Sequence, residues 1–286
     1  MQPMTNKQHF LEIRNLRASF RGPLGDLDAL DGVSLTVQQG EFVCLIGPSG
    51  CGKSTLLRIV AGLLKPSAGE VLLEGKQQDT PQRQLGLVFQ QPTLLPWRTV
   101  QDNVALPLEL GGCSAPEVQK QTAALLALVG LSGFEDEYPT HLSGGMAQRA
   151  AIARALAQTP NVLLLDEPFG ALDALTRERM AAELLHIWQR DKRTVLMVTH
   201  NVEEAALLAD RVVVLSARPG RVAGIVPVDL PRPRSPALLT SSQLQEIAAR
   251  LRAVLSQGER NAPHPYTTST APSALATPGQ PHHPPH

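Results

Sequence analysis

Gly47-Pro48-Ser49-Gly50-Cys51-Gly52-Lys53-Ser54-Thr55 is the stretch that decides how this chain folds. It follows a short apolar run, Phe42–Ile46, and opens residues 53–61, whose apolar side chains recur at helical spacing. A buried strand, a glycine turn and a helix in that order make a cradle for phosphate. Glycines let consecutive backbone N–H groups curl round an anion with no Cβ in the way. The helix that follows points its positive end at the same anion. The spacing G-x-x-x-x-G-K-[ST] is that of a nucleoside triphosphate loop. Lys53 is placed to reach the β- and γ-phosphates and the Ser54 hydroxyl to ligate Mg²⁺. All nine residues are therefore candidate ligands of ATP.

Outward from this loop, apolar runs at 85–89, 162–165, 195–198 and 212–215 read as further buried strands. Helical spacing fills 115–129, 144–157, 175–191 and 202–209. Strands alternating with helices predict an α/β fold with a mostly parallel core sheet. Residues 10–20 and 33–37 read as shorter strands of a small antiparallel sheet, and 91–157 as a helical subdomain. Leu165 is followed by Asp166 and Glu167. A parallel strand delivers functional groups at its C-terminal end, beside the phosphate loop. Asp166 is placed to hold Mg²⁺ directly or through water, and Glu167 to polarise an attacking water as general base.

Composition narrows the function classes. Lys+Arg and Asp+Glu are both 26 in 286 residues, so the basic excess of a nucleic-acid binder is missing. Aromatic residues make up only 3%, too few for a base-stacking surface. No run approaches the roughly 18 apolar residues of a membrane span, and the first residues carry no secretory apolar core. Cys44, Cys51 and Cys113 lack metal spacing and read as free thiols. From about 257 onward the chain is rich in proline, and residues 261–286 hold no Asp, Glu, Lys or Arg. We expect residues 1–256 to form the ATPase domain and 257–286 a disordered Pro/His-rich tail. Its His282, His283 and His286 have no rigid frame to hold a metal.

His141-Leu-Ser-Gly-Gly-Met-Ala-Gln-Arg149 lies upstream of the carboxylate-bearing strand. Ser143 is a good N-cap, and Gly144 and Gly145 leave helix-start amides open. One chain does not need two such ends for one nucleotide; a second makes sense if it completes the site of another copy. Phosphate loop, LSGG and LLLDEP in this order resemble the ATP-binding subunit of an ABC transporter, across about residues 10–230. The resemblance implies further roles. Phe20 stands where an aromatic stacks on adenine, usually a Tyr. Gln90 matches the glutamine that senses Mg²⁺ and the attacking water. Asp173, in Gly170-Ala-Leu-Asp173, matches the loop that crosses the dimer interface, and His200 the switch histidine on the γ-phosphate. Met146 departs from the usual Gln, and Asn201 from the usual Asp; neither carries the central chemistry.

The resemblance implies a head-to-tail dimer with two ATP molecules sandwiched inside. Phosphate loop, Asp166, Glu167, Gln90 and His200 of one copy would face Ser143, Gly144 and Gly145 of the other. It also implies integral membrane permease subunits, and through them a solute-binding protein, with this chain peripheral on the cytoplasmic face of the inner membrane. Leu94, Leu95 and Trp97, bracketed by Pro92 and Pro96, either cap the local core or form part of a permease groove. Leu95–Val100, Glu167–Arg177 and Ala217–Val222 further resemble importers of nitrate, alkanesulfonates or taurine. A pyrimidine vitamin precursor is the alternative cargo. From another class, a soluble ABC ATPase on ribosomes or DNA is disfavoured by the single phosphate loop, the absent coiled-coil insertion and the neutral charge. A nucleotide-binding module without hydrolysis would lack Glu167 or His200, and both are present.

Overall fold

The computed structural model describes residues 9–22, 25–170 and 172–260. The chain begins with a hairpin, β1 (Leu11–Gly22) and β2 (Gly25–Val37), then β3 (Phe42–Ile46) and α1 (Lys53–Val60). Next come β4 (Ala68–Leu73), β5 (Lys76–Gln77), β6 (Leu85–Val88), α2 (Val100–Leu110), α3 (Ala115–Leu128), α4 (Gly144–Ala157) and β7 (Val162–Asp166). The remainder is α5 (Ala174–Asp191), β8 (Thr194–Val198), α6 (Val202–Leu208), β9 (Arg211–Leu215), β10 (Val222–Pro227) and α7 (Ser242–Arg260).

Two sheets result. The larger has the order β10-β9-β3-β8-β7-β6, parallel except for the edge pair β10–β9. The smaller, β2-β1-β4-β5, is antiparallel throughout. The five residues of β3 are all buried, because the sheet is covered on both faces. Their side chains alternate. Phe42, Cys44 and Ile46 join one core with α4 to α7, while Val43 and Leu45 join a second with α1 and the antiparallel sheet. The phosphate loop thus leaves a strand packed on both sides, which fixes its direction.

The antiparallel sheet is larger than the sequence suggests. β2 begins at Gly25 rather than near Val33, and its first four residues are exposed. With no buried face there, they carry no apolar alternation to read. α7 continues through Arg260, so residues 257–260 belong to a helix rather than to the tail. Its Leu244, Ile247, Ala248 and Leu251 are buried at helical spacing. The proposed tail at 261–286 and its histidines lie outside the described residues. No described helix is long and apolar enough to cross a membrane.

Candidate functional site

The loop after β3 holds its shape through close backbone approaches. Gly52 has φ +98°, and a Cβ there would lie 2.7 Å from both the Ala29 carbonyl oxygen and Leu30 Cδ2. At Gly47 a Cβ would lie 2.8 Å from Cys51 Sγ. Gly52 caps α1 without a side-chain hydrogen bond, so the first-turn amides keep their capacity for an anion. Lys53 is buried and donates from Nζ to the Gly47 and Pro48 carbonyls at 2.8 and 2.9 Å. Those bonds hold its ammonium inside the cradle. Cys51 is a buried free thiol whose pKa is pushed up by burial.

Three other strands converge on this loop. The last residue of β7, Asp166, is buried and accepts from Ser54 Oγ at 2.8 Å. Burial raises the Asp166 pKa; the Ser54 hydrogen bond opposes that shift, and neighbouring Glu167 adds to it. A hydroxyl and a buried carboxylate side by side form a hard oxygen pair suited to Mg²⁺, whose charge would offset the desolvation of Asp166. Glu167 has φ +45°, and its N–H donates to the Val198 carbonyl at 2.9 Å. The strand therefore turns sharply at this residue. Glu167 Oε2 accepts from Gln90 Nε2 at 3.2 Å and lies 3.3 Å from His200 Nδ1. Gln90 follows β6 and His200 follows β8, so three parallel strand ends meet on one carboxylate oxygen.

A cavity of about 420 Å³ opens beside this cluster. It is lined by Phe20 from β1, Leu27 and Ala29 from β2, Ser49 to Thr55 of the loop except Cys51, and Gln90, Glu167 and Arg218. Phe20 is exposed there. The structure therefore gathers most of the residues expected to meet one nucleotide. Ser143, Gly144, Gly145 and Asp173 are not among the lining. Ser143 caps α4 and accepts from the Met146 N–H at 3.3 Å. Asp173 caps α5, accepts from Thr176 N–H at 3.0 Å, and has its pKa lowered by that bonding.

Several supporting side chains are given no role by the sequence alone. Buried Gln148 of α4 donates to the Phe89 carbonyl at 3.3 Å, and Arg154 to the Thr93 carbonyl at 2.8 Å. The helix behind Ser143 thereby grips both flanks of Gln90. Arg177 donates to the Phe169 and Leu172 carbonyls and braces the loop after Glu167. Buried Asn103 bonds Leu95 N–H through its oxygen and the Leu95, Arg98 and Thr99 carbonyls through its amide. Leu94 packs on the core while Trp97 is 71% exposed, so the 94–97 cluster divides between capping and display.

A buried knot fixes the turn carrying His200. Asn201 N–H donates to Thr199 Oγ1, the Thr199 hydroxyl donates to Glu204 Oε2, and Glu204 N–H donates to Asn201 Oδ1. The Asn at 201 thus supplies the cap that an Asp would. Burial pushes the Glu204 carboxyl from an ordinary 4.5 up to about 7. The native state therefore holds this proton more tightly than the unfolded chain. Its contribution to stability is full below about pH 4.5 and is lost as pH rises through about 7. Glu204→Gln keeps an acceptor for Thr199 and removes the charge. Urea unfolding near pH 8 is expected to show the variant about 1–3 kcal/mol more stable than wild type. A variant less stable at that pH would contradict the assignment.

Comparison with known proteins identifies the family. The ABC transporter family profile matches residues 30–170. An uncharacterised ABC transporter ATP-binding protein of Methanocaldococcus jannaschii is 54% identical over 78% of this chain and 84% of its own length. The nitrate import ATP-binding protein of Synechocystis sp. is 49% identical over 77% of this chain and 83% of its own. An aliphatic sulfonates import ATP-binding protein of Bacillus cereus is 45% identical over 82% and 90% respectively. Among solved structures, a dimeric ATP-binding cassette in a post-hydrolysis state with ADP and Pi superposes with TM-score 0.70. It is 34% identical, over 77% of this chain and 99% of that one.

Proposed function

This chain belongs to the ABC transporter family of ATP-binding subunits, and from that premise we propose that its ATPase energises import of a small anion through a separate membrane permease. The observation that carries the chemistry is the meeting of Gln90 and His200 on one oxygen of Glu167, beside Lys53 and Ser54. Glu167 takes the proton of the attacking water while Gln90 and His200 hold its carboxylate in line. Lys53 and the loop amides bind the β- and γ-phosphates, and Phe20 stacks on the adenine. Ser54 and Asp166 would hold Mg²⁺, which when bound would offset the negative charge of the phosphates. Ser143, Gly144 and Gly145 serve the facing copy's γ-phosphate, with Asp173 at the interface between the two.

The import reading rests on relatives named for nitrate and aliphatic sulfonates, each matching most of its own length. A permease contact is supported by Trp97, exposed on a loop that Asn103 pins to α2. An exposed aromatic on a pinned loop that follows Gln90 in the chain suits a helix-docking groove. The chain would then sit on the cytoplasmic face of the inner membrane, with a solute-binding protein beyond the permease. Gentle solubilisation of host membranes containing the tagged chain is expected to co-purify an integral permease in near-equal amount. Deletion of the gene pair should then abolish uptake of nitrate or a sulfonate. Recovery of ribosomal or DNA-bound proteins, with the chain absent from membranes, would contradict the import role.

A further inference from the structure

The loop between β9 and β10 carries the stretch Ala217-Arg-Pro-Gly-Arg-Val222, to which the catalytic scheme assigns nothing. It is stapled on three sides. Gly220 N–H donates to the Ala29 carbonyl at 2.9 Å, and Asp31 N–H to the Gly220 carbonyl at 3.0 Å. A Cβ on Gly220 would lie 2.1 Å from the Cys51 carbonyl oxygen, so the loop lies directly on the phosphate loop. Ser216 N–H donates to the Arg221 carbonyl at 2.9 Å, and Arg221 N–H returns a bond to Ser216 Oγ at 3.0 Å. Arg221 pairs with Asp31, and Gly258 of α7 abuts Ser216. This segment has little freedom to move relative to the cradle.

It places one cation in the cavity. Arg218 donates from Nε and Nη2 to the Gly50 carbonyl at 2.9 and 2.8 Å, and it lines the same cavity as Lys53, Ser54 and Thr55. No carboxylate pairs with it among the described residues. A guanidinium has five N–H donors in a rigid fork, and one carbonyl leaves several unspent. The acids at the cavity are engaged elsewhere: Asp166 with Ser54, and Glu167 with Gln90 and His200. An unneutralised guanidinium beside a polyphosphate cradle is matched by phosphate oxygens.

We propose that Arg218 is a second cationic ligand of the nucleotide's phosphates, alongside Lys53. The proposal rests on the reading of this cavity as the ATP site. Lys53 reaches the phosphates from the first turn of α1, within the cradle. Arg218 reaches them from outside it, over Gly50, and also fixes the tip of the loop by its two bonds to the Gly50 carbonyl. A charge-assisted contact of this kind shows as roughly tenfold or more in affinity.

The test is equilibrium binding of ATP and ADP to the full chain, at protein concentrations where it is monomeric. Wild type is compared with Arg218→Ala and with Arg218→Gln, which keeps a donor for the Gly50 carbonyl and loses only the charge. Both variants are expected to bind ATP and ADP about tenfold or more weakly with a shallower salt dependence, and Arg218→Gln to keep the wild-type melting temperature. The ATP-to-GTP preference should not change. If Arg218→Gln bound ATP within twofold of wild type, the proposal would be overturned. That holds even if ATP-dependent dimerisation were lost, since Arg218 would then act on the facing copy. A change confined to the ATP-to-GTP ratio would place Arg218 on the base and overturn it too. Wild type binding neither nucleotide would overturn the site reading itself, a result distinct from these.

Discussion

Glu167→Gln is expected to lower ATP turnover by about 10²–10⁴-fold and to leave ATP affinity within a few-fold of wild type. The amide keeps the shape of the side chain and can still meet Gln90 and His200, but it accepts no proton from water. The two effects separate because Glu167 is not part of the cradle. In the proposed scheme the phosphate contacts fall to Lys53 and the loop amides, and Ser54 serves Mg²⁺; the substitution touches none of these groups. A turnover assay beside a nucleotide-binding titration reads both quantities. Wild-type turnover in the variant would remove Glu167 from the role of base. Loss of affinity in step with turnover would show instead that the left-handed turn at Glu167 had been disturbed.

Gly144→Asp is expected to cost at least a hundredfold in ATPase activity with no loss of thermal stability. The two neighbouring glycines differ in what demands them. A Cβ on Gly145 would lie 3.1 Å from Thr176 Cγ2, so α5 restricts that position within the chain. A Cβ on Gly144 would meet nothing within 4 Å, and Gly144 lies in the first turn of α4 without a positive φ. Folding of the single chain does not require glycine there. An acid in the first turn of a helix even favours the fold, by about 0.3–1 kcal/mol. The requirement comes from outside the monomer, where a γ-phosphate held by a facing copy would meet the carboxylate. Melting curves and turnover together test this. Undiminished turnover would mean that no phosphate reaches α4.

Much of the site was legible because its residues sit at ends of elements whose type the sequence states plainly. The runs at 42–46, 162–165 and 195–198 are buried on both faces, so they read as unbroken apolar strands. Their C-terminal ends then carry the loop and Asp166 with Glu167, whereas His200, after the third run, was named by the family resemblance alone. The parts that escaped have mixed environments. β10 is an edge strand whose burial is confined largely to Val226, and it contains Gly224 and ends at Pro227. Helix α2 contains Pro107, a residue that ordinarily ends a helix pattern. The start of β2 is exposed on both faces. Arg218 was visible only as part of a motif without chemistry, since its contact with Gly50 spans 168 residues. Gln148 and Arg154 likewise act through backbone partners about sixty residues away, which no local spacing reveals.

The central claim is that ATP itself joins two copies of this chain across the faces bearing Lys53 and Ser143. Sedimentation velocity of the Glu167→Gln chain, with and without ATP and Mg²⁺, tests it most directly. The account predicts a monomer without nucleotide, a dimer with ATP, and a monomer again when Gly144→Asp is added to the same chain. A chain that binds ATP yet stays monomeric, or a dimer indifferent to both ATP and Gly144→Asp, would contradict it.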